Sequence, residues 1–255
     1  MSDRPVRNIG SARFVLATDL DGTFLGGSEE DRRKLYDWIE ENRTTIGLIF
    51  VTGRDPRFIV DLCDDGVPWP EYVVGDVGTT IASVEDREIQ PISTLEEEIA
   101  EAWGDSGDRV REALADAPGL TLQPTEFRYR VSFDLDPAAA DRATADKVEE
   151  MGLDWLVSDN KYFDVLPKGV SKGPSIKRLV NYLGIPPDAV LCAGDTLNDL
   201  SMLECGLPAV AVGGAEDALL DRVSPLGHVY VAKAHGAGGI LEAVRELDLH
   251  HVPED

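Results

Sequence analysis

The 255-residue sequence predicts an α/β protein: a doubly wound, Rossmann-like parallel-sheet core that carries an inserted α+β unit. Three observations predict it. Short, solidly apolar runs alternate with amphipathic helical patterns towards both ends of the chain. Loops rich in Asp, Thr and Gly follow directly on several of those runs. In the middle, the strand signal changes from solid to alternating, as in an antiparallel sheet with one wetted face.

Phe14-Val-Leu-Ala-Thr18 reads as a buried strand, followed by a helix from about Glu29 to Asn42 with Leu35, Trp38 and Ile39 on one face. Ile46 to Val51 is a second buried strand. Asp55-Pro56 offers an N-cap followed by Pro at the first helical position, with Phe58, Ile59 and Leu62 facing inward. Tyr72 to Val74 is a third strand. The same alternation resumes with a helix over Pro174 to Leu183, a strand over Ala189 to Ala193 and a helix over Asn198 to Cys205. Strands at Ala209 to Val212 and Val229 to Val231 and a helix at Gly239 to Leu247 complete it. Alternating strand and helix imply parallel pairing with helical crossovers on both faces.

Between these stretches, Phe127, Tyr129, Val131, Phe133 and Leu135 share one face of a strand, and Arg128, Arg130, Ser132 and Asp134 the other. A helix is expected from Asp136-Pro137 to about Glu150. Trp155 to Val157 and Lys161 to Leu166, separated by Ser158-Asp-Asn160, read as a hairpin. The expected division is a core of residues 1–83 and 165–255 with an inserted unit over 84–164.

Composition narrows the function classes. With 48 acidic against 24 basic residues, the net charge is −24. That argues against nucleic acid, which is met by clustered Lys and Arg, and against an anionic membrane surface. An acidic excess fits an ordinary cytosolic protein or a salt-adapted one. Cys63, Cys192 and Cys205 show no metal-ligand spacing and no disulfide framework, so a reducing, cytoplasmic setting is expected. Met1 to Ser11 is polar and lacks the apolar stretch of a signal peptide. His250 and His251 read as tail, and Cys192 as a core thiol.

Four segments carry the chemistry. Asp19-Leu-Asp-Gly-Thr23, Thr52-Gly-Arg54 and Gly194-Asp-Thr-Leu-Asn-Asp199 each follow a buried strand, and Ser171-Lys-Gly173 precedes a helix. In open parallel sheets the ligand crevice lies beyond the carboxyl ends of the strands. Asp19, Asp21, Asp195 and Asp199 would therefore converge at one sheet edge. Close carboxylates repel, and a hard divalent cation such as Mg²⁺, which takes one or two carboxylates together with waters and a phosphate, resolves the conflict. Lys172 and the Thr52 hydroxyl would hold the other phosphate oxygens, while Gly22 and Gly53 let backbone N–H groups approach an anion.

These segments together resemble the haloacid dehalogenase superfamily, mostly phosphatases: Asp19 to Thr23 matches its first motif and Gly194 to Asp199 its last, with Thr52 and Lys172 between. The resemblance implies Asp19 as nucleophile and Asp21 as general acid and then base. It implies Mg²⁺ held by Asp19, the Asp21 carbonyl, Asp195 and Asp199, the last directly or through water. Thr52, Gly53 and Lys172 would bind the phosphoryl group, with Asn198 orienting its surroundings. Within the superfamily the chain looks most like sucrose-phosphate phosphatases, through Asp164-Val-Leu-Pro-Lys-Gly-Val-Ser-Lys-Gly173 and Ala237-Gly-Gly-Ile-Leu-Glu-Ala243. It departs from them at Thr196-Leu197, where that family has Ser-Gly. The implied partner is a small phosphorylated sugar, handled by a monomer or dimer through an aspartyl-phosphate; the alternatives are a phosphosugar mutase or a phosphatase acting on another small phosphometabolite. Arg54, Arg128, Arg130, Lys161 and Asp164 are candidate sugar contacts, set against a solvated strand face with surface ion pairs.

Overall fold

The computed structural model describes residues 9–158 and 160–252. The readings that fall on residues 1–8 and on Asp159 of the hairpin lie outside them. The chain begins with β1 (Phe14–Thr18), α1 (Glu29–Glu41), β2 (Ile46–Val51), α2 (Arg57–Asp64), β3 (Tyr72–Gly75), β4 (Thr80–Glu85) and β5 (Glu88–Pro91). β1 and β2 are buried on both faces, which is why their sequences run solidly apolar. α1 starts where Ser28 and Asp31 form a reciprocal capping box.

A second unit follows: α3 (Ser93–Trp103), α4 (Ser106–Ala113), β6 (Leu120–Leu122), β7 (Val131–Leu135), α5 (Arg142–Glu150), β8 (Asp154–Ser158) and β9 (Tyr162–Leu166). The chain returns through α6 (Lys172–Leu183), β10 (Val190–Gly194), α7 (Leu200–Leu203), β11 (Ala209–Gly213), α8 (Asp217–Val223), β12 (Val229–His235) and α9 (Gly236–Glu246).

Among the described residues the strands form two sheets: an eight-stranded one in the order β12-β11-β10-β1-β2-β3-β4-β5, and a four-stranded one in the order β6-β7-β9-β8. From β12 to β3 the large sheet is parallel, whereas β4 and β5 add an antiparallel edge. The parallel core matches the expected doubly wound sheet, the antiparallel edge is an addition to it, and residues 84–91, expected in the inserted unit, continue the large sheet. Tight turns, not helical crossovers, join β3 to β4 and β4 to β5.

The pleat sends alternate residues of β1 to opposite faces. Val15 and Ala17 meet Ile176, Leu179 and Val180 of α6, while Phe14 and Leu16 meet Leu35, Trp38 and Ile39 of α1 and Ile240 and Val244 of α9. A third, smaller core of Trp103, Val110, Leu114, Phe133, Val148 and Phe163 lies between the four-stranded sheet and its helices.

Local corrections have local causes. β7 begins at Val131; before it, Arg128 reaches out of the ladder to Glu96 on α3 and Arg130 to Asp76 after β3. Asp136 closes a turn onto Ala139, and α5 starts later, at an N-cap in which the Asp141 carboxylate accepts from the Thr144 N–H at 3.1 Å. In α2 the fully inward residues are Ile59 and Cys63, with Phe58 and Leu62 half-buried. Asn198 to Cys205 forms a 3₁₀ turn over Leu197–Asp199 followed by the four-residue α7. His250 is no loose tail: it is 8% exposed, lies 3.0 Å from the Thr45 hydroxyl and packs between Phe14 and Trp38.

Candidate active site

Three parallel strands, β10, β1 and β2, end side by side, and each is followed by a loop that turns back over the sheet edge. β1 delivers Asp19, whose N–H continues the ladder to the Ala193 carbonyl at 2.9 Å. The loop after it turns sharply at Gly22, where φ is +80°. A Cβ there would lie 2.1 Å from Asp195 Oδ2, so glycine is required both for the turn and for the approach of the β10 loop. Thr23, buried, donates its hydroxyl to Asp195 Oδ1 at 2.7 Å and ties the two loops together. Gly53 is less demanding, since a Cβ would meet only Val77 Cγ2 at 3.8 Å.

α6 starts at Lys172, whose side chain is fully buried and carries the site's central cation. Its Nζ donates to Asp19 Oδ1 at 2.7 Å, Asn198 Oδ1 at 2.8 Å and Asp199 Oδ1 at 2.6 Å. Asp199, also fully buried, uses its other oxygen to accept from the N–H groups of Asp195 and Thr196 at 3.0 and 3.1 Å. It therefore holds both the lysine and the loop that presents Asp195 and Asn198. Thr52 is buried at the end of β2, with its hydroxyl accepting from the Arg54 N–H at 3.1 Å.

The electrostatics show a shortage of positive charge. Burial raises the Asp19 carboxyl well above its ordinary range, against the pull of Lys172, and Asp199 and Asp195 add repulsion. Burial likewise raises Asp195 to about 6. Burial alone would depress Lys172, but Asp19 and Asp199 overcome it and hold the ammonium above its usual range. One oxygen from each of Asp19, Asp195 and Asp199 lies within 4.8 Å of the others. An all-oxygen, carboxylate-only set short of counter-charge fits a hard divalent cation.

The sequence-predicted residues fall into two groups. Asp19, Lys172, Asp195, Asn198 and Asp199 are in one network, with Thr52 and Asp21 on flanking loops. Asp21 is more than half exposed, and Arg54 clasps it with Nε and Nη2 at 2.7 and 2.8 Å. The other group has protein partners. Arg128 forms a two-pronged pair with the buried Glu96 at 2.7 and 2.8 Å. Arg130 is buried against Asp164 and Asp76. Lys161 is exposed in the hairpin turn before β9. Along the seam between the two units runs a cleft of about 370 Å³, bounded by Trp155, Leu156, Lys168, Leu197 and Asn198. That volume is at the small end of ligand sites.

With this geometry in view, comparison with known proteins is decisive. Residues 12–248 match the family described as sucrose-6F-phosphate phosphohydrolase. The chain belongs to that family. Its fold superposes on the sucrose-phosphatase of Synechocystis sp. PCC6803, solved with sucrose and phosphate, at a TM-score of 0.83 and 25% identity, covering 93% of this chain and 98% of that one. It is 26% identical to the mannosylfructose-phosphate phosphatase of Agrobacterium fabrum over 92% of this chain and 97% of that protein. It is 39% identical to the glucosylglycerol-phosphate synthase of Pseudomonas anguilliseptica over 90% of this chain, but spans only 30% of that protein's length. It likewise spans 60% of a HAD-like hydrolase from Nitrosococcus oceani.

Two groups that shape this crevice carry no signal of their own in the sequence: Thr23, which links the Asp19 loop to Asp195, and Asp76 after β3, whose contacts only the folded chain reveals. Behind the Asp19 loop, Gly236 at the start of α9 packs on Gly26 and Gly27, with the Ala237 N–H donating to the Gly26 carbonyl at 3.2 Å.

Proposed function

We propose that this chain is a Mg²⁺-dependent phosphatase that removes phosphate from a glycosylated sugar or polyol phosphate through a phospho-aspartyl intermediate. The observation that carries the reading is the buried Lys172 ammonium bridging Asp19 and Asp199 beside Asp195. Asp19 attacks phosphorus, and its P–O bond forms as the ester bond to the leaving oxygen breaks. Asp21, freed from Arg54, gives the leaving oxygen its proton and then takes one from the water that hydrolyses the acyl phosphate. Lys172 and Thr52 hold non-bridging phosphoryl oxygens and spread their charge. Asp19, Asp195 and Asp199 would hold Mg²⁺, which supplies charge neutralisation at the phosphoryl group.

The four-stranded unit serves in this reading as a cap that selects the sugar, with the seam cleft beside Asn198 as room for the leaving group. The kinship with sucrose- and mannosylfructose-phosphate phosphatases supports, as the substrate in this reading, a glycosyl unit joined to a small phosphorylated sugar or polyol. Three free thiols are in keeping with a cytoplasmic enzyme, and among the described residues no helix is long and apolar enough to cross a membrane.

The test is phosphate release from sucrose 6-phosphate, mannosylfructose phosphate, glucosylglycerol phosphate, trehalose 6-phosphate and simple hexose phosphates, assayed side by side with Mg²⁺. The reading expects a glycosylated substrate to be turned over best. Conversion of hexose 1-phosphate to hexose 6-phosphate without release would replace it with a mutase.

A further inference from the structure

Arg130 was a candidate for the sugar, yet its guanidinium leaves its own unit and enters the core. The side chain is only 6% exposed. Within its unit, Nη1 donates to Asp164 Oδ1 at 3.2 Å, and Asp164 is itself fixed by the Ser132 hydroxyl. Across the seam, Nη2 donates to the Gly53 carbonyl at 3.3 Å and pairs with Asp76 Oδ1 at 3.5 Å. The guanidinium face is capped by the Phe127 ring, 3.7 Å away. Burial raises the Asp76 carboxyl, and Arg130 is the largest influence opposing that rise.

The residues that Arg130 reaches are those that shape the loop after β2. Asp76 and Val77 both have positive φ, +51° and +60°, a conformation that non-glycine residues hold only when their surroundings over-determine it. Here the surroundings are that loop. The Asp76 N–H donates to the Arg54 carbonyl at 3.1 Å and the Val77 N–H to the Thr52 carbonyl at 3.2 Å. The Thr80 hydroxyl holds Asp76 Oδ2 at 2.7 Å. Of the three successive carbonyls in Thr52-Gly53-Arg54, the outer two are thus gripped from the core and the middle one from the second unit.

We propose that Arg130 is a positioning residue: it couples the seating of the second unit to the shape of the Thr52–Arg54 loop, so that phosphate is held well only when that unit is docked. This rests on the functional reading above for the role of Thr52, and it moves Arg130 from sugar contact to loop support. One fork serves two units because a planar guanidinium presents separate donors in fixed directions; lysine cannot.

The probe is inorganic phosphate as a competitive inhibitor of p-nitrophenyl phosphate hydrolysis with Mg²⁺, since neither molecule carries a sugar. Arg130→Gln should raise both the phosphate Ki and the KM roughly tenfold, with a smaller change in kcat. Arg130→Lys should recover only part of that. Adding Asp76→Asn to Arg130→Gln should cost less than the two single effects combined, because both act on the same loop. If Arg130→Gln does not fold, Arg130→Lys and Asp76→Asn carry the test, and a wild-type Ki in both overturns the proposal. A weakened KM for a sugar phosphate with an unchanged phosphate Ki also overturns it and restores Arg130 to the sugar. Should wild type hydrolyse nothing, the functional reading fails separately; the phosphate-induced rise in Tm then reads the coupling, and an equal rise in wild type and Arg130→Gln sinks it.

Discussion

The ends of β1, β2 and β10 and the region around Arg128 and Arg130 both gather charged side chains near one crevice, but they do so differently. At the strand ends the charges arrive on short side chains whose positions are set by the backbone that carries them. Asp19, Thr52 and Asp195 cannot go elsewhere once β1, β2 and β10 pair. Around Arg128 and Arg130 the charges sit on long arms that reach other elements: Arg128 goes to Glu96 on α3, and Arg130 to Asp76 after β3. Short side chains at strand ends make a site that tolerates little change, and long ones make a seam that chooses its partners after folding.

The sharpest way to break this contrast is at Asp19, the proposed nucleophile. Asp19→Asn keeps the shape and removes the carboxylate that the proposed mechanism needs, so turnover should fall by at least about 10⁴-fold. Thermal unfolding should show no loss of fold, since the variant also removes one of three crowded acidic groups. Phosphate release and a melting curve measured on the same preparation check both halves. Activity close to wild type would return Asp19 to the role of a mere ligand to Lys172.

Next in size is Gly22→Ala, which adds one methyl and no charge. Its Cβ would lie 2.1 Å from Asp195 Oδ2, at a φ of +80°. Displacing Asp195 by about an ångström should cost roughly a hundredfold in kcat/KM. The apparent affinity for Mg²⁺, from activation curves after EDTA treatment, should weaken in parallel. An equal loss from Gly53→Ala, where a Cβ finds only Val77 at 3.8 Å, would show that crowding is not the reason.

A third test uses pH. Asp195 has its pKa raised to about 6 in the fold, from an ordinary value of 3.8. Between those values the folded protein keeps a proton that the unfolded chain has lost. Stability without metal should therefore fall as pH rises from about 4 through 6. Asp19 moves in the same direction. Lys172, raised above its usual range, stays protonated throughout that window and adds no slope. The fall from Asp195 is at most about 3 kcal/mol and is reduced where water reaches the loop. A divalent cation that replaces the proton should flatten it, so melting curves across this range with EDTA and with Mg²⁺ should diverge most at the upper end. Superimposable curves would count against a metal at the triad.

The same contrast explains what could be read from sequence. β1 and β2 were legible to the residue, because strands buried on both faces leave an uninterrupted apolar run. Asp19 and Asp195 were legible because the pairing of β1 with β10 brings them together, and Lys172 because its motif opens the helix that packs beside them. The reading of Phe127 to Leu135 as one strand failed for an opposite reason. A period of two assigns a face but knows nothing of Glu96, 32 residues away from Arg128, or Asp76, 54 residues away from Arg130. His250 was missed in the same way: its partner Thr45 lies 205 residues earlier, and nothing local marks the segment as core. Antiparallel β4 and β5 were invisible because that stretch carries neither a solid run nor a strong alternation.

The smallest effect is the most useful control on the seam. Lys168 pairs with Asp154 at 2.6 Å across the base of the four-stranded unit, but its side chain is 70% exposed. The pair's geometry looks as favourable as that of Arg130 with Asp164. What differs is water, which screens the exposed pair and leaves its ordering entropy uncompensated. Lys168→Ala should therefore change unfolding free energy by no more than about 0.5 kcal/mol and leave the phosphate Ki at its wild-type value. Asp154 also accepts from the Gly169 N–H at 2.7 Å, so it keeps a partner when the lysine is gone. If Lys168→Ala matched Arg130→Gln in its effect on phosphate, any break at the seam would loosen the Thr52–Arg54 loop, and burial of one guanidinium would no longer be what couples the two units.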